Sequence, residues 1–295
     1  MRDDPRSFFG KLEFTTSSAG YCRVGRAALT SLRDWYRDSR GRCADEGSLP
    51  PSVLESLSFF RSVLPRLPAR RFLFGRRRSR KKPIVVYTDA MYDPLADVPA
   101  RIGIAYYDPE LVGSAEAPTG WCHASASVPA HIMSSLAPRK QQIGPLETIV
   151  PPLLLSSHPE RFRDREVILF VDNTQAVFNL ASGSARAHDS ARIVHIFHCM
   201  CAALNTQVWL EYVASGANIA DQPSRDEFAL LLEMGSTSFS SELRWPDIAP
   251  AWTGVFDRIF DAYAPKPSKA ERAARRRVAD EITAESARRV RARVS

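Results

Sequence analysis

Two short apolar stretches of the chain each end in a single aspartate. Ile84–Ala90 reads Ile-Val-Val-Tyr-Thr-Asp-Ala, and Val167–Asn173 reads Val-Ile-Leu-Phe-Val-Asp-Asn. Runs of this length, rich in β-branched and aromatic residues, predict strands, and their continuous apolar character predicts strands that are covered on both faces. Because aspartate is rare in strands and costly to bury without a partner, Asp89 and Asp172 indicate a functional site.

The rest of the pattern predicts the element order βββαβααβα. The five strands are predicted at Ile84–Ala90, Arg101–Tyr107, Gly120–Val128, Glu166–Val171 and Val208–Val213, and the helices at Arg139–Ile149, Thr174–Leu180, Ala185–Leu204 and from Ile219 to about Met234. Pro145 fits the interior of a helix badly, so the first of these helices is expected to start near it, and Pro151-Pro152 is expected to end or kink it. We therefore expect an α/β fold with a mixed five-stranded sheet, in which the two strands that end in aspartate are adjacent and central and helices cover both faces.

Five segments of different composition divide the chain. They are a helical module (1–69), a basic linker (70–82), the α/β domain (83–234), an apolar extension (235–264) and a basic tail (265–295). The extension carries Trp252, Phe256 and Tyr263 at positions from which it can dock on the domain. The tail has few apolar anchors, so we expect it to be helical or disordered until it binds a partner.

Positive charge is concentrated in two of these segments. The chain carries a formal charge of +7, and residues 70–82 hold eight Lys or Arg and no acid. Residues 266–295 hold ten Lys or Arg and four Asp or Glu, a net charge of 10 − 4 = +6. Clusters of this kind favour an anionic partner, most often nucleic acid, and the alternative is a solvated linker and tail. The phosphate-loop and dinucleotide-binding glycine motifs do not occur in the sequence, which argues against a nucleotide-driven motor or a dinucleotide-dependent enzyme.

The cysteines indicate a reducing compartment. There are five of them, without a Cys-x-x-Cys pair, which is typical of free thiols in an intracellular protein, nuclear or cytoplasmic. His195, His198, Cys199 and Cys201 are close enough in sequence to consider a zinc site, but they also fit the core of a helix. With neither a signal peptide nor an apolar run of ~20 residues, no membrane partner is expected.

Four acids occupy suitable places for one metal site: Asp89, Glu147, Asp172 and Asp221. Each alone has an ordinary explanation as a helix cap, a strand-end turn former or a solvated helix residue. The predicted topology, however, would bring all four acids close to one another. Hard cations such as Mg²⁺ or Mn²⁺ are held by a few carboxylates, and two such ions ~3.5–4 Å apart can activate water and stabilise the leaving oxygen of a phosphodiester.

These residues lie in motifs with a recognisable order. The segments Tyr87–Ala90, Leu146-Glu147, Phe170–Asn173 and Asn218–Arg225 resemble the four acidic motifs of the type 1 ribonuclease H fold. The resemblance is strongest to the ribonuclease H domain fused to retroelement reverse transcriptases of the DIRS-type and Ty3-like lineages, and it covers about residues 83–234. The acids are 58, 25 and 49 residues apart (147 − 89, 172 − 147, 221 − 172).

The resemblance implies a metal-dependent endonuclease that hydrolyses the RNA strand of RNA–DNA hybrids, with two Mg²⁺ or Mn²⁺ ions held by the four acids. It also implies a group of residues that contact the nucleic acid: Asn173, Ser184, Arg186, Asn218 and Arg225. Residues 1–69 resemble the thumb and connection region that precedes ribonuclease H in such elements. The polymerase palm is missing, so a polymerase domain outside this chain is the implied partner.

Three departures from the family pattern leave a second hypothesis open. The segment Ala214–Asn218 lacks the histidine that many family members carry there, Met91 replaces a small residue, and prolines flank Glu147. The alternative is therefore a catalytically inactive remnant that binds nucleic acid. Proofreading exonucleases, which place Asp and Glu two residues apart on the first strand, fit less well because Met91 occupies that second position, and integrases fit less well too.

Overall fold

The computed structural model describes residues 5–17, 23–38, 49–64, 66, 81–248 and 251–266, with isolated positions at 268, 273, 277, 280 and 284. Its helices are α1 (Pro5–Thr15), α2 (Leu29–Asp38), α3 (Pro51–Val63), α4 (Ala130–Ser135), α5 (Ile143–Ser157), α6 (Pro159–Phe162), α7 (Thr174–Ser182), α8 (His188–Leu204), α9 (Asp221–Ser224), α10 (Ala229–Glu233) and α11 (Trp252–Tyr263). Its strands are β1 (Ile84–Tyr92), β2 (Ala100–Tyr107), β3 (Trp121–Ser127), β4 (Glu166–Val171), β5 (Gln207–Tyr212) and β6 (Thr237–Ser238). In these ranges, all the helices fall short of what crossing a membrane would require in length or apolar character.

The strands form one mixed sheet in the order β5-β4-β1-β2-β3-β6, flanked by helices. β1 is antiparallel to β2 and β2 to β3, whereas β4 is parallel to both β1 and β5. The expected α/β class is confirmed, and so is the adjacent, interior position of the two strands that end in aspartate. The prediction of five strands is wrong. The sixth, β6, has two residues and pairs with β3, which is too short for any hydrophobic pattern to reveal.

The predicted strands and most of the helices lie where expected. β4 has the predicted bounds, and the ends of the other four predicted strands differ from the prediction by one or two residues. Side chains of β1 alternate: Ile84 and Val86 are fully buried, while Val85 and Tyr87 on the other face are half-buried. Helix α2 begins at Leu29, after a run of turns over residues 23–28.

The helix that carries Glu147, α5, starts near Pro145 as expected and does not end at Pro151-Pro152. Pro145 is the third residue of α5, where its missing N–H is harmless because first-turn N–H groups have no partner within the helix. Pro151-Pro152 was expected to end or kink the helix, but α5 continues to Ser157. An interior proline costs ~3 kcal/mol, and α5 offsets this because its residues from 144 to 157 are buried against β1, β2 and α8, at ~1.5–3 kcal/mol for each leucine.

The predicted helix from Ile219 to Met234 is wrong. The structure has two short helices there, α9 and α10, separated by Arg225–Phe228. Asp226 adopts a left-handed backbone conformation (φ 65°), which ends α9, and its carboxylate pairs with Arg101 on β2. A partner so distant in sequence explains why local periodicity did not reveal the break.

The apolar extension docks on the domain, as predicted. Helix α11 packs on α8 and on α3 of the N-terminal module. The carboxylate of Glu55 joins the three helices, because it accepts bonds from Arg192 on α8 and from the backbone N–H of Trp252 at the start of α11. The basic linker, apart from residues 81 and 82, and most of the basic tail lie outside the described residues, so their predictions are not tested.

Helix α9 lies unusually close to the sheet at Gly103. This glycine is opposite Asp89 in the β1–β2 ladder. A Cβ atom at Gly103 would lie 2.2 Å from the carbonyl oxygen of Ala220 and 2.4 Å from the backbone nitrogen of Ser224. The absence of a side chain at residue 103 therefore sets the distance between α9 and the face of the sheet that carries Asp89.

We expect Gly103→Ala to destabilise the protein by about 1–3 kcal/mol, because the methyl group meets rigid backbone and must push α9 away. Urea unfolding measures this change. Gly216→Ala is the matched control, since a Cβ at Gly216 meets nothing within 4 Å. Equal unfolding midpoints for the two variants would contradict the close approach of α9.

Candidate metal centre

The pairing of β1 with β4 places two carboxylates side by side. Tyr87 and Phe170 are direct neighbours in the parallel register, and their rings stack with centroids 4.9 Å apart. Asp89 and Asp172 each follow two residues later. Because side chains alternate along a strand, both carboxylates emerge on the same face as the stacked rings.

Helix α5 supplies the third carboxylate. Asp89, Glu147 and Asp172 each offer an oxygen, and these three atoms lie within 4.8 Å of one another. Glu147 also accepts a hydrogen bond from the backbone N–H of Ala90, the residue after Asp89. The elements α5, β1 and the end of β4 thus converge on one acidic triad, which could hold a metal ion.

Burial and mutual repulsion make this triad electrostatically costly. Burial, followed by the charges of Asp89 and Asp172, raises the pKa of Glu147 to about 10. Burial and the charge of Asp172 raise the pKa of Asp89 to about 6, against the opposing effect of a hydrogen bond with Ser224. Without a cation, the folded protein therefore keeps a proton on Glu147 at neutral pH.

Two oxygen atoms of the triad are placed as ligands of a cation would be. Among the described residues, Oε2 of Glu147 and Oδ1 of Asp172 are buried and have no hydrogen-bond partner. Buried polar atoms are nearly always satisfied, so each such atom calls for an explanation. A metal ion between the three carboxylates would supply both missing interactions and remove the repulsion, and an all-oxygen donor set suits a hard cation.

Asp221, the fourth predicted ligand, lies outside the triad. It is the first residue of α9, and its carboxylate is paired with the guanidinium of Arg225, at 2.9 Å from Nη2 to Oδ1. Its charge still reaches the site, because it contributes to the raised pKa of Asp89. The structure therefore brings three of the four predicted acids together and leaves the fourth beside them.

Two of the residues predicted to contact nucleic acid, Asn218 and Asn173, bond backbone groups through their side-chain amides. Asn218 is buried, and its side chain donates to the carbonyl of Thr88 (3.1 Å) and accepts from the N–H of Ala220. Asn173 caps the N-terminus of α7 by accepting from the N–H of Ala176. Asn218 thus joins the start of α9 to β1 beside Asp89, which places it inside the protein.

The other predicted contacts lie nearer the surface. Ser184 is half-buried and bonded to Ser182 at the end of α7, and Arg186 is exposed in the segment before α8. Arg225, bound to Asp221, has a side chain that is 59% exposed. Contact of these residues with nucleic acid stays a prediction.

The histidines and cysteines of α8 belong to the core. The Nε2 atom of His195 bonds the carbonyl of Trp252, and that of His198 bonds the carbonyl of Leu180. Within the described ranges, the acidic triad is the one group of three or more His, Cys, Asp or Glu side chains placed to hold an ion. The helix-core interpretation of this segment is the one that fits.

Sequence reasoning missed Ser224. Its side chain is fully buried, its hydroxyl donates to the carbonyl of Asp221 (2.8 Å), and it also interacts with the carboxylate of Asp89. It sits in the Asp221–Arg225 motif, where a small residue is needed against Gly103. Only the close packing of α9 on the sheet reveals this role.

A scan against protein-family models matches no family, and a search of curated proteins returns no significant match.

We expect Asp172→Asn to stabilise the protein in the absence of divalent ions by roughly 1 kcal/mol, because it removes the charge that repels the Asp89 carboxylate. The same change should remove most of the stabilisation that added Mg²⁺ gives the unaltered protein. Thermal unfolding with and without Mg²⁺ measures both effects. The control is Asp97→Asn, in the exposed β1–β2 loop, and a loss of metal-free stability in Asp172→Asn would contradict the proposed repulsion.

The raised pKa of Glu147 predicts how stability depends on pH. The unfolded chain loses this proton near the ordinary pKa of 4.5, whereas the folded protein retains it up to about 10. The folded state therefore binds more protons between these values, and the stability of the metal-free protein should fall as pH rises from about 5 to about 9.

Added Mg²⁺ should stabilise the protein more at about pH 8 than at about pH 6, because the ion binds the deprotonated carboxylate. Urea unfolding at several pH values tests this expectation. In Glu147→Gln, both the pH dependence and the effect of Mg²⁺ should be reduced. A metal effect that is independent of pH in the unaltered protein would contradict it.

Proposed function

We propose that this chain is a metal-dependent endonuclease of the ribonuclease H type, which hydrolyses the RNA strand of RNA–DNA hybrids. In this proposal it is the C-terminal part of a retroelement reverse transcriptase and works with a polymerase domain outside the chain. Mg²⁺ or Mn²⁺ is the cofactor.

One observation carries the proposal: three carboxylates from β1, α5 and β4 meet within 4.8 Å, with two buried oxygens that lack partners. The sheet order supports the resemblance as well, since a three-stranded antiparallel meander is followed by two parallel strands on the side of β1. The sequence motifs occur on these same elements, in the order that the resemblance requires.

The residues of the triad would act by holding and orienting the ions. Asp89 and Asp172 are the central ligands, and Glu147 joins them once its proton has left. When bound, the ions activate water and stabilise the leaving oxygen of the phosphodiester. The 2′-hydroxyl groups in the wide minor groove are what distinguish the RNA strand.

The position of Asp221 favours a second candidate. Its carboxylate is bound to Arg225 outside the triad, as it would be in a protein that has kept the fold and lost the complete metal site. Such a remnant would bind hybrids through its basic segments, with an affinity that falls steeply with salt, and would not cleave them.

Cleavage of an RNA–DNA hybrid labelled on its RNA strand separates the two candidates. We expect cleavage of that strand with Mg²⁺ or Mn²⁺, and a rate at least about 100-fold lower in Asp89→Asn, since loss of even an outer partner of a metal ligand commonly costs 10–100-fold. Asp97→Asn is the matched control in the loop that follows β1. DNA duplex and RNA duplex of the same sequence should remain uncut.

Salt-sensitive binding of the hybrid without cleavage under either ion would overturn the nuclease proposal and favour the remnant. Cleavage that persists in Asp89→Asn would show that the activity does not arise from the triad.

A further inference from the structure

The ion pair between Asp221 and Arg225 is well formed. The guanidinium Nε lies 3.0 Å from Oδ1 and 3.1 Å from Oδ2 of Asp221, and Nη2 lies 2.9 Å from Oδ1. Both oxygens of the carboxylate are therefore engaged by one side chain, one helical turn away. An Asp221 carboxylate held in this way has no oxygen directed solely at the triad.

The backbone that carries Asp221 is nevertheless fixed beside the triad. Gly103 admits α9 to close contact with the sheet, and Asn218 bonds the carbonyl of Thr88 next to Asp89. The side chain of Ser224 interacts with Asp89 from the same helix. The backbone therefore has little freedom to move, and any change in the position of the Asp221 carboxylate must come from its side chain.

The ion pair is exposed enough for another anion to replace the Asp221 carboxylate as the partner of Arg225. The side chains of Arg225 and Asp221 are 59% and 33% exposed, and solvent-exposed ion pairs contribute little to stability. Arginine binds phosphate with the same two-bond geometry that it uses for a carboxylate. A phosphate group near α9 could therefore take the guanidinium without a large energetic cost.

The pairing also has a clear electrostatic reason. Asp89 and Asp172 already repel each other, and the charge of Asp221 adds to the repulsion felt by Asp89. Arg225 neutralises this additional charge as long as no cation is present. A second cation beside the triad would reverse the balance and make the Asp221 carboxylate a favourable ligand.

We propose that Arg225 is a positioning residue that withholds Asp221 from the triad, and that it releases Asp221 as a ligand for a second divalent ion when a backbone phosphate of the bound nucleic acid takes its guanidinium. The role of the phosphate rests on the proposed function. The competition between Arg225 and a second ion for Asp221 does not.

Titration calorimetry with Mn²⁺ in the absence of nucleic acid tests the competition directly. The unaltered protein should bind one ion well and a second ion weakly. In Arg225→Gln the second ion should bind at least about fivefold more tightly, which is the lower range of typical coupling between sites. Arg225→Lys should lie between them, because a lysine keeps the charge but not the two parallel bonds.

A double-mutant cycle identifies the group through which Arg225 acts. Asp221→Asn should lose the second ion, and Arg225→Gln combined with Asp221→Asn should behave like Asp221→Asn alone. The matched control is Arg258→Gln, since Arg258 of α11 is as exposed as Arg225 and forms an ion pair with Asp247 (2.8 Å). Unchanged or weaker Mn²⁺ binding in Arg225→Gln, or a gain that persists without Asp221, would overturn the proposal.

Hybrid cleavage supplies a second readout. Arg225→Gln should lower the Mg²⁺ concentration needed for half-maximal rate and raise the KM for hybrid, because the phosphate contact is lost. If Mn²⁺ binding changes as expected but no hybrid is cut, the nuclease proposal fails and the competition for Asp221 stands. If hybrid is cut but Mn²⁺ binding does not respond to Arg225, the withholding role fails and the nuclease proposal stands.

Discussion

The parallel pairing of β1 with β4 is the constraint on which the rest of the structure depends. It aligns two apolar strands so that Tyr87 stacks on Phe170 and the next residues on that face are Asp89 and Asp172. Two like charges at this distance oppose folding, and the buried apolar rows of both strands, with α5 packed against β1, compensate for it. Slippage of one strand by one residue would turn its carboxylate to the face opposite the other, so the register that builds the core also builds the site.

The remaining parts of the site follow from how helices pack on this sheet. Helix α5 is buried along nearly its whole length, which holds Glu147 against the other two carboxylates despite its raised pKa. Helix α9 packs against the sheet at Gly103, on the face that carries Asp89. The triad therefore destabilises the metal-free protein, because its like charges repel one another, and a bound cation would remove that repulsion.

The sequence predicts the elements better than their tertiary contacts. Apolar runs located five of the six strands, and the positions of Asp89 and Asp172 at strand ends followed from those runs. Pro151 and Pro152 do not end α5, because the burial of that helix outweighs the local hydrogen bonds that the two prolines remove. The last predicted helix failed because the break at Asp226 depends on Arg101, far away in the chain. The same limit applies to Asp221: its place beside the site was predictable, but its pairing with Arg225 was not.

Anomalous diffraction from crystals grown with Mn²⁺ tests the central claim most directly, namely that the triad is a metal site. The account predicts an anomalous peak between Asp89, Glu147 and Asp172, at roughly the 2.0–2.2 Å expected for hard cations from at least one oxygen of each. Well-ordered density for the three side chains with no peak between them, at Mn²⁺ concentrations that give peaks elsewhere in the crystal, would contradict it.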